Sequence, residues 1–329
     1  MDDLSFSIIT PAYNNAEEVK KLLDSVREEV LKDRTLEVIV IDDCSREYFV
    51  RDVTEKSGFA RYIRLESNSG PSTARNIGAK NAKNAILIFV DSDVVFNSDT
   101  ISKVRDVFNK NKTIEVFGGE YDIVPANPSI ATKFKSIMGR SWCPTGGVTT
   151  VFLARFGAIK KRVFDELGGF NADLKTAAVE DYELGRRLTD KGYTIYYDPT
   201  VTVKHHFPAF KKQVKLFFDR AFMWVYILKH YKRFDNICTT PALGLTQVCG
   251  FASVSLFIAS LIKPVFICPA LSMLVVFILM NMRFFKLTMK NEGAIFTLLA
   301  VPMALIVASS ITFGTFFGMV NFFILRKNA

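Results

Sequence analysis

Along the first hundred residues the apolar positions follow two alternating rhythms. Phe6, Ile8 and Ile9 make a short apolar run that ends at Thr10–Pro11. Val19, Leu22, Leu23, Val26 and Val30 then recur at the three- and four-residue steps of a helix. Leu36–Ile41 (LEVIVI) and Ala85–Val90 (AILIFV) are unbroken apolar runs, the pattern of strands buried on both faces, with a weaker strand over Arg61–Leu65 between them. Ser72 stands where it would cap a helix reaching about Lys83. Repeated strand–helix–strand units predict an α/β fold with a parallel sheet covered by helices on both faces. Such sheets bind ligands beyond the carboxyl ends of their strands. The segments Pro11-Ala12-Tyr13-Asn14-Asn15, Asp42-Asp43-Cys44-Ser45 and Asp91-Ser92-Asp93 each follow a strand, so they are expected to meet at one edge. No GxGxxG follows the first strand, which counts against a dinucleotide-binding dehydrogenase.

Further on, residues 148–160 alternate as a strand does, and Val179–Lys191 reads as a helix that opens with acids. Tyr193–Tyr197 and Val201–Lys204 read as two short strands ending at His205-His206. Phe210, Val214, Phe217, Phe218, Ala221, Val225 and Leu228 mark one helical face, with Lys211, Lys212, Lys215, Arg220 and Lys229 around the rest. A basic amphipathic helix at this place suits a membrane interface. Three uncharged apolar stretches follow, Leu243–Ile262, Pro264–Met282 and Ala294–Leu325, each long enough for a span of about 20 residues. Lys263 leaves room only for a tight hairpin between the first two, and Pro302, Gly314 and Gly318 predict a tilt or break in the third. Arg283, Lys286 and Lys290 place a cytosolic loop between the second and third stretches. Arg326 and Lys327 prefer the same side, so the count of spans is two or three.

Composition sharpens this division. Charge is concentrated before residue 240, and the net charge of +9 favours anionic lipid or an anionic substrate. No nucleic-acid module is recognisable, so no nucleic-acid partner is expected. The five cysteines, Cys44, Cys143, Cys238, Cys249 and Cys268, lack CxxC spacing and indicate neither a disulfide framework nor a zinc site. The amino terminus has no basic segment followed by a long apolar run, so the polar part is expected on the cytosolic side.

Asp91-Ser92-Asp93 is the sharpest chemical feature. Two carboxylates one residue apart at a strand end suit a hard divalent cation, Mg2+ or Mn2+, which neutralises a diphosphate leaving group. Asp42 and Asp43 offer acceptors for a base or ribose, or an ordinary Asx turn. Arg75 opens a helix within Gly70-Pro71-Ser72-Thr73-Ala74-Arg75-Asn76 and is able to reach a phosphate, or is a plain surface arginine. Glu180-Asp181 begins a helix and offers a general base, or simply favourable acids in a first turn. His205 or His206 would complete a metal shell.

In order, SIITPAYNN, VIVIDDCS, NSGPSTARNIG, ILIFVDSD, LGGFNADLKTAAVEDYELGRRL and DPTVTVKHH resemble the inverting glycosyltransferases of family 2, which have the GT-A fold, a Rossmann-like mixed sheet. The resemblance covers residues 5–207. It implies that Pro11, Ala12, Tyr13, Asn15, Asp42 and Asp43 hold a UDP- or GDP-linked sugar. It further implies that Arg75, Asp91, Ser92 and Glu180 line the donor, and that Asp91, Asp93 and His205 hold the metal. Asp181 matches the catalytic base. Cys44 stands where the family usually has glycine, and QxxRW is absent after the histidines, which disfavours a processive polymerase. The GGF…ED block favours a sugar hydroxyl on a lipid-linked glycan as acceptor. A polyprenyl-phosphate glycosyltransferase and a non-catalytic membrane protein retaining the fold are the rival readings. The expected organisation is a GT-A domain over 1–207, an amphipathic connector over 208–240 and transmembrane helices over 241–329, with the catalytic part at the cytoplasmic face of the membrane. The oligomeric state stays open.

Overall fold

The computed structural model describes residues 4–174, 179–232 and 240–325. Arg233, Cys238, Arg326, Lys327 and positions 175–178 of the LGGF…EDYEL block lie outside the described residues. The chain divides into two units. One is made by residues up to Asn127 together with Thr145–His206, and the other by Pro128–Pro144 together with the residues from Phe207 onward.

In the first unit the buried runs become strands as their apolar continuity requires. β1 (Phe6–Ala12), β2 (Leu36–Asp42), β3 (Ala60–Arg64) and β4 (Ile86–Val90) are parallel. β5 (Val94–Phe96), β6 (Val116–Tyr121), β7 (Gly147–Thr149), β8 (Phe156–Lys160) and β9 (Ile195–His205) follow. Among the described residues one sheet has the order β3-β2-β1-β4-β8-β6-β9-β5, with β7 also paired to β9. It is mixed: β8 runs antiparallel to β4 and β6, while β6 and β9 are parallel.

Helices cover both faces. α1 (Ala16–Lys32), α2 (Phe49–Ser57) and α4 (Thr100–Lys110) pack Val19, Leu22, Val50, Val104 and Phe108 against Ile8, Val38 and Ile88. α3 (Pro71–Asn81), α6 (Lys161–Glu166) and α7 (Glu180–Asp190) pack Ala74, Phe164, Leu184 and Leu188 against Ile9, Ile39 and Phe89 on the other side. Alternate residues of β1, β2 and β4 thus enter opposite cores, which is why the sequence shows no alternation there. Each fully buried aliphatic side chain contributes ~1.5–3 kcal/mol.

Three local expectations are corrected. The alternation over 148–160 is two strands, β7 and β8, separated by residues 150–155. The two short strands expected around Asp198 are one continuous strand, β9, whose middle crosses from β7 to β5 as partner. Ser72 does not cap α3; its hydroxyl donates to the Leu174 carbonyl at 3.2 Å, and Gly70 occupies the cap position at φ +85°.

The second unit is helical: α5 (Ile130–Trp142), α8 (Phe210–Tyr231), α9 (Pro241–Ser260), α10 (Ile267–Met280) and α11 (Met282–Met319). Residues 283–290, expected as a loop, are the first turns of α11. They pack beside α5, with Lys133 Nζ 2.7 Å from Glu292 and the Phe134 and Phe284 ring centroids 5.5 Å apart. The break falls at Gly293 (φ +84°), not at Pro302, which the helix accommodates. Gly314 and Gly318 let α11 lie against α8: a Cβ at either would stand 2.4 and 2.7 Å from the Phe218 and Phe222 carbonyl oxygens. Among the described residues two helices are long and apolar enough to cross a membrane, Pro241–Ser260 and Met282–Ile324, with mean hydropathies of 1.7 and 2.3. The shorter Pro264–Met280 is apolar too.

Candidate active site

The strand-end segments meet as expected, and their side chains are bound largely to one another. Asp42 ends β2 and Asp43 follows it, both buried. Asp42 Oδ1 accepts from the Ser45 amide at 2.8 Å, and its Oδ2 accepts from the Tyr62 hydroxyl at 2.6 Å and Arg64 Nη1 at 2.8 Å. Burial, then the bond to Asp42, pushes the Tyr62 hydroxyl up to about 12, so it stays a neutral donor. Asp43 accepts from the Ser69 and Gly70 amides at 2.7 and 2.9 Å and so fixes the turn into α3. Cys44 adopts φ +62°, the left-handed region that a glycine enters without steric penalty.

In the loop after β1, Asn14 at φ +54° receives Arg46 N on its Oδ1 at 2.8 Å, which joins this loop to the one after β2. Asn15 Nδ2 donates to Ser92 Oγ at 2.5 Å, joining it to the one after β4. Pro11 is half-buried, Ala12 is buried, and the Tyr13 ring is 44% exposed, open to an arriving planar group.

Arg75 is no surface arginine. It is 3% exposed, donating from Nη2 to Asp91 Oδ1 at 2.8 Å and from Nη1 to Glu180 Oε1 at 2.9 Å, with Phe170 beneath it at 5.4 Å. Burial alone would lower its pKa, but Glu180 and Asp91 outweigh burial and raise it. This ion triad ties the Asp91 loop to the start of α7, where Asp181 sits half-buried in the first turn and accepts from the Tyr182 amide at 2.9 Å.

Asp91, Asp93 and His205 come together because β5 follows the turn directly and pairs Val94 with His205. One ligand atom from each lies within 4.8 Å of the others, the grouping of this kind found among the described residues. His205 Nε2 is 3.1 Å from Asp93 Oδ1, yet that oxygen is buried without a well-formed hydrogen bond. Two carboxylates and an imidazole around such an oxygen fit a divalent cation. His206 is not part of this grouping; its amide donates to the Asp93 carbonyl at 2.8 Å, and burial lowers the pKa of its ring.

The sequence pattern did not single out Glu120, Tyr121, Arg155 and Tyr197. Tyr121 donates to Asp91 Oδ2 at 3.1 Å and stacks on His205 at a centroid separation of 4.3 Å. Glu120 is buried and receives Arg155 Nη2 at 2.6 Å and the Tyr197 hydroxyl at 2.7 Å. Gly118-Gly119 is the sequence sign of an irregular strand that was available; at that point the β6–β9 register shifts, with Gly119 of β6 opposite residues 198–201 of β9.

Residues 7–168 match the profile of glycosyl transferase family 2. An uncharacterized glycosyltransferase of Haemophilus influenzae is 31% identical over 203 residues, 58% of this chain and 64% of that protein. The poly(ribitol-phosphate) β-N-acetylglucosaminyltransferase TarS of Staphylococcus aureus is 34% identical over 101 residues, 30% of this chain and 18% of that protein. The chain thus spans less than two thirds of the length of these curated relatives. Among solved structures, a mannosyltransferase from Pyrobaculum calidifontis in complex with GDP-Man and Mn2+ superposes with a TM-score of 0.56 at 16% identity, covering 98% of this chain and 88% of the other. That likeness is one of fold.

Proposed function

We propose, from the premise that this chain carries a family 2 glycosyltransferase domain of the GT-A fold, that it transfers a sugar from a nucleoside-diphosphate sugar to a hydroxyl of a membrane-associated glycan, with inversion. The observation that carries this reading is the joining of Asp91, Asp93 and His205 to the Asp181-bearing start of α7 through the buried Arg75 bridge. Metal ligands and a carboxylate base are thereby held by one frame at the carboxyl edge of the sheet.

The roles follow from exposure and chemistry. Tyr13, with Pro11, offers an aromatic and apolar surface to the nucleobase, and Asn15 and Ser92 lie between that surface and the Asp91 loop. Asp42, Asp43, Arg75 and Glu180 act as the frame, because their charged groups are already engaged within the protein. Asp91, Asp93 and His205 hold a divalent cation, Mg2+ or Mn2+. Bound there, the cation supplies positive charge against the diphosphate that departs. Asp181 accepts the proton of the acceptor hydroxyl as its oxygen attacks the anomeric carbon from the face opposite the leaving group. The GDP-Man and Mn2+ held by the Pyrobaculum mannosyltransferase support this class of donor and ion.

Membrane attachment is part of the same proposal. Exposed aliphatic side chains such as Leu261, Ile262, Ile295 and Leu298 stud α9–α11 and the turn between α9 and α10, as lipid contact requires. The lysines of α8 suit anionic headgroups on the cytosolic side.

Asp181→Asn tests the mechanism. The variant is expected to fold and to bind donor as wild type does, while turnover falls by ~10²–10⁴-fold. A loss of donor affinity equal to the loss of rate would overturn the role of base. Near-normal turnover would instead indicate an acceptor that is already anionic, such as a polyprenyl phosphate.

A further inference from the structure

We propose that Tyr121 is the positioning residue of the cation site: it holds Asp91 and His205 in the arrangement in which they meet Asp93. The inference rests on the metal reading above and adds a residue to it. Tyr121 touches two of the three ligands by different atoms. Its hydroxyl donates to Asp91 Oδ2 at 3.1 Å, while its ring lies on the His205 imidazole at 4.3 Å and an interplanar angle of 38°. Asp91 Oδ1 is already held by Arg75 Nη2 at 2.8 Å. With both oxygens receiving a donor from a different direction, the carboxylate has one orientation available, and its remaining lone pairs point where a cation can use them. His205 gains a similar restriction from the close, tilted ring contact.

Tyr121 is in turn held from behind. The Arg155 guanidinium lies 4.8 Å from its ring centroid, and Arg155 Nη2 is anchored on Glu120 Oε1 at 2.6 Å. Glu120 is 2% exposed, and its second oxygen accepts from Tyr197 at 2.7 Å. The Arg155 charge, which would oppose a nearby cation, is therefore balanced inside the protein. The backbone explains why Glu120 and Tyr121 project as they do. Between Gly118 and Glu120 the β6–β9 register jumps, so that Gly118 pairs with Tyr197 but Glu120 with Thr202 and Tyr121 with Val203. Gly119 of β6 thus stands opposite residues 198–201 of β9, and irregularities of this kind re-aim side chains beside sites. Beyond the jump, Tyr121 stands one pleat from His205 on the same strand pair.

The test measures Mn2+ binding by the full chain in detergent, from the electron paramagnetic resonance signal of free Mn2+, with no nucleotide and no turnover. Asp93→Ala defines the background. Tyr121→Phe keeps the ring and removes only the bond to Asp91; it is expected to bind Mn2+ 10- to 100-fold more weakly, the usual consequence of losing a partner of a metal ligand. Tyr121→Met, which removes the ring contact as well, is expected to bind more weakly still. The metal-free unfolding midpoint of Tyr121→Phe should stay near that of wild type. A packing role alone would lower the midpoint and leave Mn2+ affinity unchanged in Tyr121→Phe, and that result would overturn the inference. Wild-type protein that binds no more Mn2+ than Asp93→Ala would instead overturn the metal reading itself.

Discussion

At the scale of single residues, the charged groups that look most like ligands in the sequence divide into those that frame the site and those that face it. Arg75 is the clearest case. A guanidinium is needed because two carboxylates, Asp91 and Glu180, are met from one planar fork, with Phe170 against it. Lysine has three donors on one nitrogen but no planar fork, so it would meet the two carboxylates in a poorer geometry. Arg75→Met is expected to destabilise the protein by on the order of 3–5 kcal/mol, since it leaves the buried Glu180 carboxylate without its partner. Arg75→Lys should retain part of that stability but loosen the start of α7, lowering turnover more than donor affinity. Thermal unfolding and steady-state kinetics on the two variants check this. Wild-type stability in Arg75→Met would show that the triad does not hold the loop and helix together. Cys44 shows a smaller cost. Holding a side chain in the left-handed region disfavours that turn by roughly 1–2 kcal/mol relative to glycine, and the bonds made by Asp42 and Asp43 on either side sustain it.

Among the secondary elements, β6 is the one whose sequence looks least suited to its place and whose structure explains why. A strand interior containing Gly118-Gly119 gives up side-chain packing and conformational entropy. Here a Cβ on Gly119 would stand 2.3 Å from Phe156 Cε1 and 2.8 Å from the Val201 carbonyl oxygen. The first contact is with a ring packed in the core and the second with backbone, so neither yields easily. Gly119→Ala is therefore expected to destabilise by about 1–3 kcal/mol, as overpacking does. It should also weaken Mn2+ binding, because Tyr121 lies two residues beyond Gly119 on the same strand. Chemical denaturation together with Mn2+ titration separates the two effects. Wild-type behaviour in both would mean that β6 shifts freely, against the packing described. In the helical unit the same logic applies to Gly314 and Gly318, where α11 meets the α8 backbone too closely for a side chain.

For the whole molecule, the division is into a polar α/β unit and a helical unit that carries the apolar stretches. A helical unit that leaves Leu261 and Ile262, in the turn after α9, more than four-fifths exposed would be poorly soluble in water unless covered. The full chain is expected to stay in the pellet when membranes are washed with alkaline carbonate, and to leave only with detergent. Its polar unit should be cut by protease added from the cytosolic side. Release by carbonate, or protection of the polar unit from that protease, would overturn the proposed placement.

The sequence by itself determined the parts of this protein that depend on neighbours in the chain. Apolar continuity in LEVIVI and AILIFV gave buried parallel strands, and the residues after those strands were bound to share an edge because parallel strands all end on one side. The uncharged stretches after residue 240 likewise became apolar helices. Tertiary structure alone decided which polar groups turn inward. That Asp42 is spent on Ser45, Tyr62 and Arg64, or Arg75 on residues 16 and 105 positions away, depends on contacts that leave no periodic trace. The same holds for β9, whose pairing with β5, β6 and β7 makes one long strand of what local composition divides at Asp198-Pro199. Tyr121 was hidden for the same reason. Its contacts with Asp91 and His205 come from the shifted register between β6 and β9, and register is a property of pairs of strands, fixed only when both are in place.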